Sequence, residues 1–182
     1  DLQCPFCYVL SEWLEEGNLG HLIRWTGVEL HPGVTPEDGS SSEISRKRDQ
    51  ELERLHRIAP SITIKKPKTI SNTKRAMAAI EHIQQREPWR GAEARLMLYR
   101  AIWQDGRDVT EWSTIREVLE DFHLDDMDDT SPELKSVDAS TREWHSRGEG
   151  RIPMLVPENQ QSLWHGLGER SELMRYIDSQ LS

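Results

Sequence analysis

The sequence predicts an α/β fold in which a large all-helical segment interrupts a smaller mixed domain. Three observations predict it. A C-x-x-C pair, Cys4-Pro5-Phe6-Cys7, opens an apolar helical run at the start of the chain. A stretch rich in β-branched and aromatic residues, Leu22–Leu30, comes next and reads as a strand. After a long helical stretch the chain returns to strand-like runs and closes on an amphipathic helix. The mixed domain is therefore assigned to residues 1–35 and 149–182, and the helical insertion to residues 36–148.

The elements follow in order. The first helix runs from about Pro5 to Gly17-Asn18. Pro5 sits in the first turn, where its missing N–H costs nothing and its fixed φ suits a helix. Gly17 and Asn18 act as C-cap residues. His31-Pro32 ends the strand, and residues 33–42 are a loop by composition. Glu43–Ile58 is a charged helix with a sparse apolar stripe at Ile44, Leu52, Leu55 and Ile58, and Pro60 stops it. Ser61–Lys65 alternates like a short extended segment. Asn72 is placed as the N-cap of a helix reaching about Glu87, with Ala76, Ala79, Ile80 and Ile83 on one side. Further helices are expected over residues 91–104, from Thr110 to Phe122, and from Pro132 to Arg147, where Gly148 and Gly150 break the pattern. Ile152–Pro157 and Gln161–His165 read as a hairpin turning at Glu158-Asn159-Gln160. Residues 169–181 form the closing helix through Leu173, Met174, Ile177 and Leu181.

Composition excludes several functions. Hydrophobic residues make up 35%, charged residues 30%, and the net charge is −9, which argues against nucleic acid as a partner. The basic clusters Arg46-Lys47-Arg48 and Lys65-Lys66-Pro67-Lys68 are short and lack interleaved aromatics, so they read as solvated faces. No apolar run approaches the ~20 residues of a membrane span, and no signal peptide is visible. A membrane is not an expected partner, and a cytoplasmic location is. The acidic stretch Asp125–Asp129 lacks the central Gly and closing Glu of an EF-hand and reads as a solvated loop.

The chain's only two cysteines are Cys4 and Cys7. At a helix N-terminus, unpaired N–H groups and the positive end of the dipole favour a thiolate at Cys4. Cys7 lies one turn further in, on the same face. That arrangement suits two-step exchange through a mixed disulfide. A zinc site would need a second ligand pair, and neither a third cysteine nor a close histidine pair exists, so no metal is expected. A purely structural disulfide closing so short a loop would constrain the unfolded chain little.

The order of C-x-x-C helix, strand, helical block, hairpin and helix is that of a thioredoxin-like fold with a helical insertion. Asp1-x-x-Cys4-Pro5-Phe6-Cys7-Tyr8 resembles the active-site signature of the DsbA-like thioredoxin superfamily, nearest its FrnE-like and 2-hydroxychromene-2-carboxylate isomerase-like branches. Glu29-Leu30-His31-Pro32, Ser71-Asn72-Thr73 with Ala76, and Gly150-Arg151-Ile152-Pro153 resemble further motifs of that superfamily. The resemblance implies a strand immediately before Asp1, and hence residues upstream of those given.

The resemblance also implies roles. Cys4 is the nucleophile and Cys7 the resolving thiol. The Ile152–Pro153 bond is expected to be cis, with Ile152 pairing an extended substrate. Pro5, Phe6, Asn72 and Glu169 join Ile152 and Pro153 as expected substrate-binding residues. No histidine lies between the cysteines, and Asp1, if close, opposes thiolate formation. The leading expectation is a thiol–disulfide oxidoreductase acting on protein or small-molecule disulfides, with no cofactor beyond glutathione as a co-substrate. The rival is a glutathione-dependent transferase or isomerase, because Gly168-Glu169-Arg170 resembles a glutathione-contacting turn of the isomerase and kappa-class branches. A third expectation is a redox-dead interaction module. Trp89, Trp103, Trp112 and Trp144 are assigned mainly to the core, with a substrate cleft or homodimer face as the other use.

Overall fold

The computed structural model describes residues 1–33, 42–148, 150–159 and 161–181. Its helices are α1 (Pro5–Glu16), α2 (Ser42–Ile58), α3 (Lys74–Arg86), α4 (Pro88–Trp103), α5 (Trp112–Val118), α6 (Pro132–Ser146) and α7 (Arg170–Leu181). The strands β1 (Met154–Leu155) and β2 (Trp164–His165) pair antiparallel, Met154 with His165 and Leu155 with Trp164.

α1 is buried nearly all round. Tyr8 and Val9 are fully enclosed, and Trp13 and Leu14 nearly so. A helix with no solvent face needs partners for its polar residues. Glu12 finds one in Arg100 of α4, whose Nε and Nη2 donate to its two carboxylate oxygens at 2.8 Å each. Such a forked pair fixes orientation as well as charge. The core continues into α4 through Leu98, Tyr99, Ile102 and Trp103, all at 0% exposure. The indole of Trp103 donates to the Leu2 carbonyl at 2.9 Å, tying the N-terminal turn to α4.

α3 packs between α4 and α6. Its small residues Ala76, Ala78 and Ala79 are fully buried and let the neighbouring helices approach closely. Gly91 of α4 serves the same end. A Cβ there would meet Gln84 Cβ of α3 at 2.8 Å.

The helix boundaries shift slightly from those expected. The N-cap of α3 is Thr73 rather than Asn72, whose side chain instead accepts the Lys74 N–H at 3.1 Å. α4 begins at Pro88, a first-turn position that suits proline. The expected helix to Phe122 breaks at Val118 and finishes as a single 3-10 turn over Glu120–Phe122, closed by His123 in the left-handed region (φ 52°). Trp103, Trp112 and Trp144 are buried, whereas Trp89 is 65% exposed. Ser61–Lys65 is irregular, its end held by the Lys65 N–H bonding the Trp103 carbonyl at 2.6 Å.

The expected strand at Leu22–Leu30 does not form. Gly20–Leu22 is a 3-10 turn, and residues 23–30 run without a strand partner among the described residues. Side chains take the place of a ladder. Gln84 accepts the Trp25 N–H at 2.9 Å and donates to the Trp25 carbonyl at 3.0 Å. Thr141 accepts the Glu29 N–H at 3.0 Å, and the His145 ring lies 2.9 Å from the Glu29 carbonyl. Strand propensity is a preference for a paired, half-buried surface, and here helices α3 and α6 satisfy the backbone first.

The hairpin is shorter than expected. Only two residue pairs and a Gly166 N–H to Pro153 carbonyl bond of 2.8 Å hold it. Pro153 and Pro157 have no N–H to contribute. Most of the expected 33–42 loop, and residue 160 of the hairpin turn, lie outside the described residues. Between residues 23–28 and the segment 152–157 lies a cavity of about 940 Å³, reached by Cys7 and Leu10 of α1, Arg95 of α4, Trp144 of α6 and Tyr176 of α7.

Candidate active site

Cys4 is the N-cap of α1, in extended conformation (φ −89°, ψ 112°), with Pro5 in the first turn. The turn before it is fixed by Asp1. The Asp1 carbonyl accepts the Cys4 N–H at 3.2 Å. Its carboxylate accepts from Gln3 N–H at 2.8 Å, Thr73 hydroxyl at 3.1 Å and Leu30 N–H at 2.9 Å. Asp1 thus joins the active-site turn to α3 and to the extended segment, and its charge is shared among three donors.

Both cysteines are free thiols and both are buried, Cys4 at 6% and Cys7 at 8% exposure. They differ in their surroundings. The Cys7 side chain hydrogen-bonds the Cys4 sulfur and lowers its pKa below the ordinary 9.0, against the upward push of burial; the backbone N–H groups of Cys7 and Phe6 add to the lowering. Burial raises the Cys7 pKa well above the ordinary value, and its interaction with Cys4 raises it further, while the Tyr99 hydroxyl bonds it in the opposite sense. Ionisation of the pair is therefore favoured at Cys4 and disfavoured at Cys7.

Across from Cys4 lies Ile152, whose carbonyl faces the Cys4 Sγ at 4.0 Å. The Ile152–Pro153 peptide is cis. Pro5 is buried beside the pair and Phe6 is half-buried, with the Arg54 guanidinium 5.6 Å from its ring centre. Cys4, Cys7, Pro5, Phe6, Ile152 and Pro153 thus meet in one place. The other two expected contacts lie apart. Asn72 lines a separate cavity of about 370 Å³ with Arg75, Thr110 and Asp129. Glu169 is exposed ahead of α7, where its carbonyl accepts the N–H groups of Glu172 and Leu173.

The sequence reading missed Tyr99 and Arg95. They lie four apart on α4, so one face of that helix carries both, and this spacing was the available signal. Nothing local shows that the face meets Cys7.

A family model described as "DSBA-like thioredoxin domain" matches residues 1–144. The chain belongs to the DSBA-like thioredoxin family. It is a family of thiol–disulfide oxidoreductases. Two solved structures share the fold. One, from Nitrosomonas europaea and provisionally described as a protein disulfide isomerase, aligns with a TM-score of 0.75 at 17% identity, covering 100% of this chain and 94% of that one. The other, the cytosolic disulfide reductase DsbM from Pseudomonas aeruginosa with GSH, aligns at 0.62 and 15% identity, covering 100% and 96%. No curated protein sequence matches the chain. Among the described residues no helix is long and apolar enough to cross a membrane.

Proposed function

We propose that this DSBA-like chain exchanges disulfides through Cys4 and Cys7, with Cys4 as nucleophile. The observation that carries the reading is the asymmetry of the pair: charge favoured on Cys4, which faces the Ile152 carbonyl, and disfavoured on Cys7, one turn further along α1. The thiolate is the reactive form of a cysteine, so the order of attack follows. Cys4 attacks a substrate disulfide, forms a mixed disulfide and releases one substrate thiol. Cys7 then attacks Cys4, releasing the second substrate thiol and closing the Cys4–Cys7 disulfide. Two electrons pass from the protein to the substrate, and the reverse sequence oxidises a dithiol.

The substrate is proposed to be a small-molecule or protein disulfide that lies extended against Ile152 and Pro153, with Pro5 and Phe6 beside it. The open backbone of Ile152 and Met154 suits an added strand. Glutathione is proposed as the thiol partner and the cytosol as the location. The DsbM structure, a cytosolic reductase with GSH, supports both.

The test is equilibration in glutathione redox buffers, followed by alkylation and mass spectrometry of the two cysteines. A reversible two-electron transition of the Cys4–Cys7 pair is expected. A pair that stays reduced throughout, or a Cys4 that only accumulates glutathione, would overturn the reading in favour of a glutathione-dependent transferase.

A further inference from the structure

Arg95 is 2% exposed, and its Nε and Nη1 make no hydrogen bond. Among the described residues no carboxylate lies within ion-pairing distance of it; Glu15 acts on it only from further away. A buried guanidinium without a partner is costly, and such a cost persists where the surroundings make use of the charge. Arg95 lines the cavity that Cys7 also lines, and the two groups interact electrostatically. One turn along α4, the Tyr99 hydroxyl donates to the Asp1 carbonyl at 3.3 Å, acts on Cys7 in the sense that favours its thiolate, and packs its ring 5.9 Å from that of Tyr8.

The resolving step needs a negative charge at this spot. Cys7 must attack as a thiolate, yet it is buried and its neighbour Cys4 already disfavours a second charge. Once Cys4 is bound in a mixed disulfide, its charge is gone. The groups that then face Cys7 are Tyr99 and Arg95 from α4 and Asp1 from the preceding turn, whose carboxylate is already bonded to three donors. Arg48 of α2 interacts with Cys4. The Asp1 amino group also acts on Cys7, and Arg24 and Arg147 line the same cavity from exposed positions; Arg95 is the buried side-chain cation of that cavity.

We propose that Arg95 and Tyr99 form a buried cradle for the Cys7 thiolate, which they stabilise as it attacks the mixed disulfide on Cys4. Tyr99 acts through its hydroxyl, whose proton turns from the Asp1 carbonyl toward the Cys7 sulfur as the thiolate forms. Arg95 is a positioning residue that acts through its charge. The Cys7–Cys4 bond forms as the bond from Cys4 to the substrate sulfur breaks. The departing thiolate takes up a proton equivalent to the one Cys7 lost, so no further reagent is needed. The proposal rests on the dithiol reading given above.

The test follows a single turnover. Reduced protein is mixed with oxidised glutathione and quenched in acid at intervals, and mass spectrometry counts the Cys4–glutathione adduct and the internal disulfide at several pH values. In Arg95→Gln the adduct should persist roughly tenfold longer near neutral pH, with the rise of the resolution rate moved to higher pH, because the thiolate fraction sets the rate. Arg95→Lys, which keeps the charge, should recover most of the loss. Tyr99→Phe should shift the profile in the same direction by less. A packing role alone would slow neither step in a pH-dependent way. If wild type forms neither adduct nor disulfide, the dithiol reading itself fails. If wild type resolves its adduct and Arg95→Gln does so at the same rate and pH dependence, only the role of Arg95 is overturned. Should Arg95→Gln fail to fold by circular dichroism, Tyr99→Phe decides, and an unchanged profile there overturns the cradle.

Discussion

Cys4 is approached from two sides that are built in opposite ways. On one side stands the helical block of α1, α3, α4 and α6. On the other stands the short hairpin with its preceding segment at Ile152–Pro153. The helical block holds its own backbone bonds, and its contacts at Tyr8, Tyr99, Ile102 and Trp103 exclude solvent entirely. In the hairpin, Met154 and Leu155 are half-buried, Val156 is 50% exposed and Leu163 is 37% exposed. The difference teaches a division of labour. The proposed nucleophile is seated in the solvent-excluded part, and the surface proposed to meet the substrate belongs to the more exposed part.

The predictions that sharpen this contrast begin with the largest effect. Cys4 and Cys7 are almost equally buried, so burial alone predicts equal alkylation by iodoacetamide. The lowered pKa of Cys4 and the raised pKa of Cys7 predict instead that Cys4 reacts roughly 100-fold faster near neutral pH, because only the thiolate attacks. With rising pH, Cys4 should reach its half-maximal rate below the ordinary thiol pKa of 9.0 and Cys7 only above it. Site-resolved mass spectrometry across pH reads both, and equal rates would remove the asymmetry on which the mechanism stands.

Next is the helical block itself. Trp103→Ala removes a fully enclosed indole and its bond to the Leu2 carbonyl. The expected loss is about 3–5 kcal/mol in urea denaturation, from lost transfer energy plus the cavity left behind. A smaller loss is expected where the extended segment is held by one side chain. Gln84→Ala leaves both the N–H and the carbonyl of Trp25 without their partner, which should cost about 1–3 kcal/mol. Hydrogen exchange should locate the change at residues 23–30 rather than in α3. The smallest effect belongs to the hairpin. Val156→Thr alters a half-exposed side chain and should change stability by under about 0.5 kcal/mol. If it instead destabilised the protein as Trp103→Ala does, the division between a fixed and a yielding side would be wrong.

The sequence was informative wherever structure is set within a helical turn or two. Pro5 and the C-x-x-C spacing placed Cys4 at the N-terminus of α1, and the structure starts that helix at Pro5. The apolar stripe at Ala76, Ala79, Ile80 and Ile83 is buried in α3; of the stripe expected in α7, Leu173 and Ile177 are buried, Met174 is half-buried and Leu181 is 55% exposed. Capping, φ restriction and helical periodicity act between neighbours in the chain, so they can be read from a string of residues.

Other features were decided only in three dimensions. Leu22–Leu30 has the composition of a strand, yet it is held by Gln84, Thr141 and Asp1, residues remote in sequence. Cys4 meets the Ile152 carbonyl across 148 positions. Arg95 looks like any helical arginine until α1 and α4 pack and leave it enclosed without an acid. Composition states what a segment prefers, but pairing and desolvation depend on which distant groups reach it first. That choice belongs to the packed molecule, and here it settles both the fate of the extended segment and the environment of Cys7.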